Sequence, residues 1–400
     1  MKIIHILHHS ISPFAGQYPE DDPLHYNSGL TMKYARAIRA RHAEAEIECW
    51  RPEHAAREVY IWQDEAARIT HRVFPSRYGR FNLEYSRPML QAARREADQG
   101  RAYFLVQGSY NLHAYRLASI LVAAPAILQS HGGFPARVLF QRSRHRWLRS
   151  LYLTYAMLER RALTQYRHIF AISQEERGYL AALCPASAVH FSPTGVDFDL
   201  FSPGDRRAAR TALGLPVHEP ILLYVGRLSA EKGLEYLLDA FARLLPRLDP
   251  APRLVIVGSG PLRDSLQTQV DTLNVSHAVT FTGNLPAHEL PQWYRAADVT
   301  VIPSLLEWFG AVAVESMACG TPIVGTEAGG LVDIVAEFQS GILVPPRNPE
   351  ALAAAIVEAL SSHPLPPPNI ERGRAAFDWS VKIAHMMDIW SGMRGNSENK

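Results

Sequence analysis

The stretch Val299-Thr-Val-Ile-Pro303-Ser-Leu-Leu-Glu307-Trp-Phe-Gly310-Ala-Val-Ala-Val-Glu315-Ser-Met-Ala-Cys-Gly320-Thr-Pro-Ile-Val324 decides how the rest of the chain is read. Val299 to Ile302 is a short apolar run closed by Pro303, the pattern of a buried strand. Ala311 to Ala318 is expected to be helical, with Gly320 placed at the C′ position to stop it. Thr321-Pro-Ile-Val then opens another strand. One carboxylate, Glu307, leaves a strand; the other, Glu315, lies on the following helix. Both are expected at the carboxyl end of a parallel sheet, where open α/β folds bind ligands. Phe309 and Gly310 fall at the helix N-terminus, whose N–H groups and positive dipole end favour a phosphate. Taken singly, Glu307 could cap the helix and Glu315 could sit on a solvated face.

Outward from this stretch, the same alternation of strand and helix continues. Ile221 to Val225 is a strand followed by Gly226-Arg-Leu-Ser-Ala-Glu-Lys-Gly233, and Leu234, Leu237, Leu238, Phe241, Leu244 and Leu245 form a one-sided helical stripe. Arg227 and Lys232 thus project from a strand-to-helix loop, where cations would meet a diphosphate, the arginine bidentately and the lysine as a point charge. Leu254 to Val257 leads to Gly258-Ser-Gly260-Pro261, half of a dinucleotide fingerprint whose third glycine is replaced by Arg263, which argues against NAD. Val279 to Thr282 and Ile323-Val324 are further strands.

The first half reads less cleanly. Strands are expected at Lys2 to Leu7, Ile47 to Trp50, Ala102 to Val106, Ala126 to Gln129, His168 to Ile172 and Val189 to Phe191, with a helix over Arg149 to Leu163. Gly29 opens a helix through Leu30, Tyr34, Ala37 and Ile38, as either a phosphate cradle or a plain tight turn. His71 to Leu90, rich in arginine and aromatic residues, has no regular period and gives no firm reading beyond acceptor contacts as one option. His131, at a strand end before Gly132-Gly133, is either structural or exposed to ligand.

Four hundred residues suggest two domains, and 47% hydrophobic with 20% charged residues is ordinary for a globular protein. Three scattered cysteines, Cys49, Cys184 and Cys319, argue for a reducing compartment and against a disulfide frame or zinc site. No signal-peptide pattern opens the chain, and the longest apolar run, Leu117 to Leu128, is too short to span a bilayer. A cytoplasmic location is expected. The net charge of +2 divides unevenly: residues 1–193 carry 25 basic and 16 acidic residues, the remainder 16 and 23. The run Arg137 to Arg149, with no acidic residue near it, is either a solvated surface or a patch for anionic lipid or a phosphate-bearing acceptor. No nucleic-acid motif accompanies it.

Glu307, Phe309-Gly310, Glu315 and Met317-Ala-Cys-Gly-Thr-Pro322, together with Gly226-Arg-Leu through Glu231-Lys-Gly233, resemble the two signatures of glycosyltransferase family four, the retaining glycosyltransferases of the GT-B fold. The resemblance implies two Rossmann-like parallel-sheet domains facing across a cleft: an acceptor domain over 1–193, a nucleotide-sugar domain over 194–376, and a last helix at about 377–392 packing back on the first. It assigns Arg227 and Lys232 to the diphosphate, Glu315 to the ribose, Glu307 and His131 to the donor sugar, and Gly29, Phe309 and Gly310 to the donor. Asn27-Ser28-Gly29 keeps one glycine of the family's usual pair. Asp333 stands as a shorter form of its usual acidic residue after Gly329-Gly330. Asp197-Phe-Asp199 formally matches a cation-holding pattern, but Gly195-Val-Asp197 resembles the family's linker, which needs no metal.

The implied activity is retaining transfer from a UDP-sugar, or next from GDP-mannose, to a saccharide or lipid-linked acceptor in cell-envelope polysaccharide or glycolipid synthesis. No cofactor or obligatory metal is implied, and attachment to the inner face of the membrane would be peripheral. A binding or scaffold protein that has lost transfer, and a nucleotide-sugar epimerase of similar fold, are the alternatives. A pyridoxal-phosphate phosphorylase is disfavoured because only Lys2, Lys33, Lys232, Lys382 and Lys400 occur.

Overall fold

A computed structural model describes residues 1–7, 30–54, 56–77, 85–108, 112–131, 146–184, 187–361 and 365–395. The chain forms two compact units, Met1–Pro193 with Lys382–Lys400, and Thr194–Val381.

In the first unit, the strands are β1 (Lys2–Leu7), β2 (Glu46–Glu53), β3 (Tyr60–Asp64), β4 (Ile69–Pro75), β5 (Ala102–Gln107), β6 (Ala126–Gln129), β7 (His168–Ala171) and β8 (Ala188–Phe191). They form one sheet in the order β3-β4-β2-β1-β5-β6-β7-β8, parallel except for the antiparallel pair β3–β4. The intervening helices are α1 (Leu30–Arg41), α2 (Arg87–Gln99), α3 (Leu112–Leu121), α4 (Arg146–Leu163) and α5 (Gln174–Leu183). Their apolar faces cover the sheet: Met89, Leu90 and Ala93 of α2 and Leu117 and Leu121 of α3 join Ile4, Phe104 and Leu128 in one buried cluster. The β3–β4 hairpin was not legible in the sequence. Tyr60 and Ile61 on this edge are 42% and 53% exposed, so neither face of β3 needs the alternation that marks a half-buried strand.

The second unit holds α6 (Arg206–Ala212), β9 (Ile221–Val225), α7 (Leu234–Leu244), β10 (Arg253–Val257), α8 (Arg263–Thr272), β11 (Val279–Gly283), α9 (Leu290–Ala296), β12 (Val299–Ile302), α10 (Ala311–Ala318), β13 (Ile323–Thr326), α11 (Gly330–Phe338), β14 (Ile342–Val344), α12 (Pro349–Ala359) and α13 (Ile370–Phe377). Its sheet is wholly parallel in the order β11-β10-β9-β12-β13-β14. Its inner strands β9, β10, β12 and β13 are covered on both faces and read as continuous apolar runs, which is why this half was legible. The stripe on α7 is buried as its spacing requires.

A last helix, α14 (Trp379–Gly395), starts in the second unit and ends in the first. Phe377 does not open it, as the sequence suggested. It closes α13, because Asp378 is extended and its Oδ1 accepts the Ser380 N–H at 2.7 Å, starting α14 afresh. Two segments cross between the units, at 193/194 and 381/382. On the second unit's side, Val196 N donates to Phe377 O at 2.8 Å, and Trp379 N to Val196 O at 3.3 Å. On the first unit's side, the buried Lys382 Nζ donates to Ser192 O at 2.5 Å, to Ser192 Oγ at 3.0 Å and to Pro193 O.

Candidate active site

In the second unit's sheet, β9 is followed in sequence by β10 and β11 on one side, while β12 to β14 extend the other. The order therefore reverses between β9 and β12, and ligands of open α/β sheets bind outside the strand ends at such a point. Three loops leave the sheet there: 226–233 after β9, 303–310 after β12 and 327–329 after β13.

These loops are fastened backbone to backbone. Leu305 N and Leu306 N donate to Glu231 O at 2.8 and 3.3 Å, and Gly330 N donates to Glu307 O at 3.3 Å. Gly233, at φ +65°, lies so close to the β12 exit that a Cβ would come 2.3 Å from Pro303 O. Gly329, at φ +48°, would bring a Cβ within 1.8 Å of Glu307 O. Only glycine allows either approach.

The zippered loops bring Lys232 and Glu307 together. Lys232 Nζ donates to Glu307 Oε2 at 2.7 Å, and Ser304 Oγ donates to the same oxygen at 3.0 Å. Glu307 does not cap α10, whose N-cap is Gly310 at φ +92° without a side-chain bond. Arg227 lies exposed on the neighbouring loop, where Tyr224 Oη donates to its carbonyl at 2.9 Å. Burial, with the charges of Glu307 and Glu231, pushes the Tyr224 phenol far up, so it stays a donor.

Glu315 is buried, 8% exposed, which removes the solvated-face reading. Its Oε2 accepts the phenol hydroxyl of Tyr294 at 2.9 Å. The Phe309 side chain is likewise buried and packs on Phe377 at 5.7 Å, so only its main chain remains for a ligand. Asp197 Oδ1 is taken up by the N–H groups of Asp199 and Leu200, and Asp199 pairs with Arg374 at 3.2 Å.

In the first unit, His131 follows the carboxyl end of β6, and its Nε2 is hydrogen-bonded to Gln107 Oε1 at the end of β5. The strand end beneath it is held by Gln129, which accepts from Tyr34 of α1 at 2.6 Å and donates to Ser130 O at 2.8 Å. Gly29 and residues 137–145 lie outside the described residues, as do the side chains of 146–149.

Gln107, Tyr294 and Ser304 escaped the sequence reading. Gln107 ends the apolar strand run Ala102 to Val106, and Tyr294 looks like an ordinary helix core residue in Gln292-Trp-Tyr-Arg295. Ser304, three residues before Glu307, was the one visible signal, since a hydroxyl at a strand exit is a ready donor.

Two such units, each a doubly wound parallel α/β layer, are the architecture of a glycosyltransferase of the GT-B type. Residues 205–375 match the family model "Glycosyl transferases group 1", and residues 30–200 match "Glycosyltransferase Family 4"; the chain belongs to this family. A D-inositol 3-phosphate glycosyltransferase of Streptosporangium roseum is 40% identical over 215 residues, 50% of this chain and 49% of that protein. An uncharacterized glycosyltransferase of Methanocaldococcus jannaschii is 43% identical over 152 residues, 38% of each chain. The match thus spans about half the length of the first of these relatives and less of the second. Among solved structures, the sucrose-phosphate synthase of Thermosynechococcus elongatus superposes with TM-score 0.72 at 23% identity, covering 99% of both chains. Anabaena HepE in complex with UDP-glucose superposes with TM-score 0.68 at 18% identity, covering 98% of this chain and 100% of that one.

Proposed function

We propose that the protein transfers a sugar from a nucleoside diphosphate sugar, a UDP-sugar first and GDP-mannose next, to a saccharide or lipid-linked acceptor with retention of anomeric configuration. The Lys232–Glu307 pair carries this reading: it sets a phosphate-seeking cation and a hydroxyl-seeking carboxylate 2.7 Å apart at the sheet's switch point. The Anabaena protein bound to UDP-glucose supports UDP as the nucleotide.

In this mechanism Arg227 and Lys232 neutralise the diphosphate as the anomeric bond breaks, assisted by the N-terminus of α10. Charge grows on the leaving group in the transition state, so fixed cations there stabilise it preferentially. Glu315 accepts from the ribose hydroxyls, while Glu307 and His131 hold the sugar. The departing diphosphate oxygen takes the acceptor proton, so no protein base is required. The protein's own cations serve where other transferases use a metal, and activity should be unchanged in excess EDTA. Arg227→Ala and Lys232→Ala should each lower kcat on the order of 10²-fold. Wild-type turnover in both variants would end the proposal. Release of free nucleotide from a UDP-sugar without an acceptor would instead favour the epimerase alternative. A donor that binds without turnover would favour a scaffold protein.

The acceptor is read from charge and from the relatives. The D-inositol 3-phosphate glycosyltransferases and sucrose-phosphate synthase are named for phosphorylated sugars or polyols. The first 193 residues carry the basic excess that would attract such an acceptor or an anionic membrane. Among the described residues no helix is long and apolar enough to cross a membrane. On α4, however, Leu153, Met157 and Leu158 are exposed beside Arg160 and Arg161, a face suited to peripheral attachment.

A further inference from the structure

Glu315 is a buried carboxylate, and a carboxylate removed from water needs donors. Tyr294 supplies one at 2.9 Å and is itself fully buried. Burial and the Glu315 charge push its phenol far above the ordinary range, so it acts only as a donor.

Both ends of this bond are pinned. The Tyr294 ring meets Phe201 edge-on at 6.0 Å, and the Tyr294 carbonyl accepts from Thr321 Oγ1 at 2.6 Å. Helix α9, which carries Tyr294, is further tied by Arg295 Nε to Ser202 O and by Arg210 Nε to Ala296 O, both at 2.8 Å. On the other side, Ser316, beside Glu315 on α10, donates to Thr321 O at 3.0 Å and meets Thr300 Oγ1 at 2.7 Å. Thr321 therefore fastens the phenol's helix and the carboxylate's helix to the same point.

We infer that Tyr294 is a positioning residue that fixes the plane of the Glu315 carboxylate for the ribose diol, making the unit selective for nucleotides that keep both ribose hydroxyls over 2′,3′-dideoxynucleotides. This rests on the reading of Glu315 as the ribose contact. The selectivity follows from burial. A ligand without the hydroxyls forgoes its hydrogen bonds to a desolvated, charged acceptor, and sites built to bind a hydroxyl reject analogues lacking it far more strongly than apolar pockets reject a missing methylene. Tyr294 adds to this by removing the freedom of the carboxylate to turn away. The ring is needed for packing and the hydroxyl for orientation, so Tyr294→Phe separates the two.

The test is calorimetric titration of the full chain, as wild type, Tyr294→Phe and Glu315→Gln, with UDP and 2′,3′-dideoxy-UDP, and with the matching GDP pair. Wild type should prefer the ribonucleotide by about 100-fold, two hydrogen bonds to a charged group at roughly tenfold each. Tyr294→Phe should lose about tenfold of that preference through weaker UDP or GDP binding, with dideoxynucleotide affinity kept within about twofold. Equal loss for both ligands would make Tyr294 a packing residue and overturn the inference. Full preference in Tyr294→Phe with none in Glu315→Gln would overturn it while leaving the ribose contact standing. Full preference in Glu315→Gln, or no binding of any diphosphate to wild type, would remove the ribose reading and the inference together.

Discussion

Gly233 shows how much one missing side chain does in this site. At φ +65° it gives the turn that lays Lys232 beside Glu307, and the space a Cβ would need is filled by the Pro303 carbonyl. Gly214 has the same φ of +65° but nothing within 4 Å of its Cβ position, which makes it an internal control. Gly214→Ala should lower stability by about 1 kcal/mol, the left-handed cost alone, and leave transfer intact. Gly233→Ala should cost on the order of 3 kcal/mol, because a backbone carbonyl must move, and should reduce transfer more than stability explains. Thermal melts paired with donor turnover check both. At this scale the sequence revealed which groups carry charge but not their partners. Lys232 and Glu307, 75 positions apart, meet where the Gly233 turn and the bonds from the 305–306 amides to Glu231 O join the two loops. Nothing local to Tyr294 announces that its hydroxyl reaches a helix 21 positions on.

Among elements, α4 is the one whose outward face asks for a test. Met157 is 73% exposed and Leu153 54%, one helical turn apart, while Ala162 and Leu163 are buried. Replacing both exposed residues by glutamate should leave the melting temperature nearly unchanged, since they cover no core. The same change should reduce sedimentation with vesicles containing anionic phosphatidylglycerol by about tenfold, because apolar insertion and attraction to basic side chains are both weakened. Unchanged sedimentation would assign the face to another role. The legibility of elements followed their environment. β9, β10, β12 and β13 are covered on both sides and stand out as apolar runs. Of the β3–β4 hairpin, β3 did not, because it is an edge strand with Tyr60, Ile61 and Gln63 exposed, and its Trp62 meets the buried His71 of β4 at 4.0 Å by a stacking that no local pattern announces. The α13–α14 break was missed because it rests on a local cap, Asp378 Oδ1 accepting both the N–H and the hydroxyl of Ser380.

For the molecule as a whole, the first unit should be the acid-sensitive one. Three of its histidines are buried to 1% exposure or less: burial pushes His5 down to about 3, and His71 and His113 to about 4. His113 Nδ1 also accepts the Ser86 N–H, a bond its protonation would break. Their folded values lie below the unfolded value near 6.5, so the unfolded chain binds protons first as the pH falls. Stability is therefore complete above about pH 6.5 and declines towards pH 4, by roughly 1.4 kcal/mol per pH unit for each such histidine. Melting curves from pH 7.5 to 4.5 should show this. His5→Leu should flatten the decline and raise the melting temperature at pH 5, since both ring nitrogens of His5 lack partners among the described residues. An unaltered slope would mean that His5 is not among the groups responsible. The double crossing has an effect of another kind. Because Lys382 onward belongs to the first unit, that unit cannot be finished when its first 193 residues have left the ribosome. It must wait through the synthesis of the whole second unit, and its Ser192–Pro193 edge stays without the Lys382 amino group that later ties it down. The first-made half is thus the last to be completed, and a released fragment ending at residue 381 should hold a settled second unit and an unsealed first.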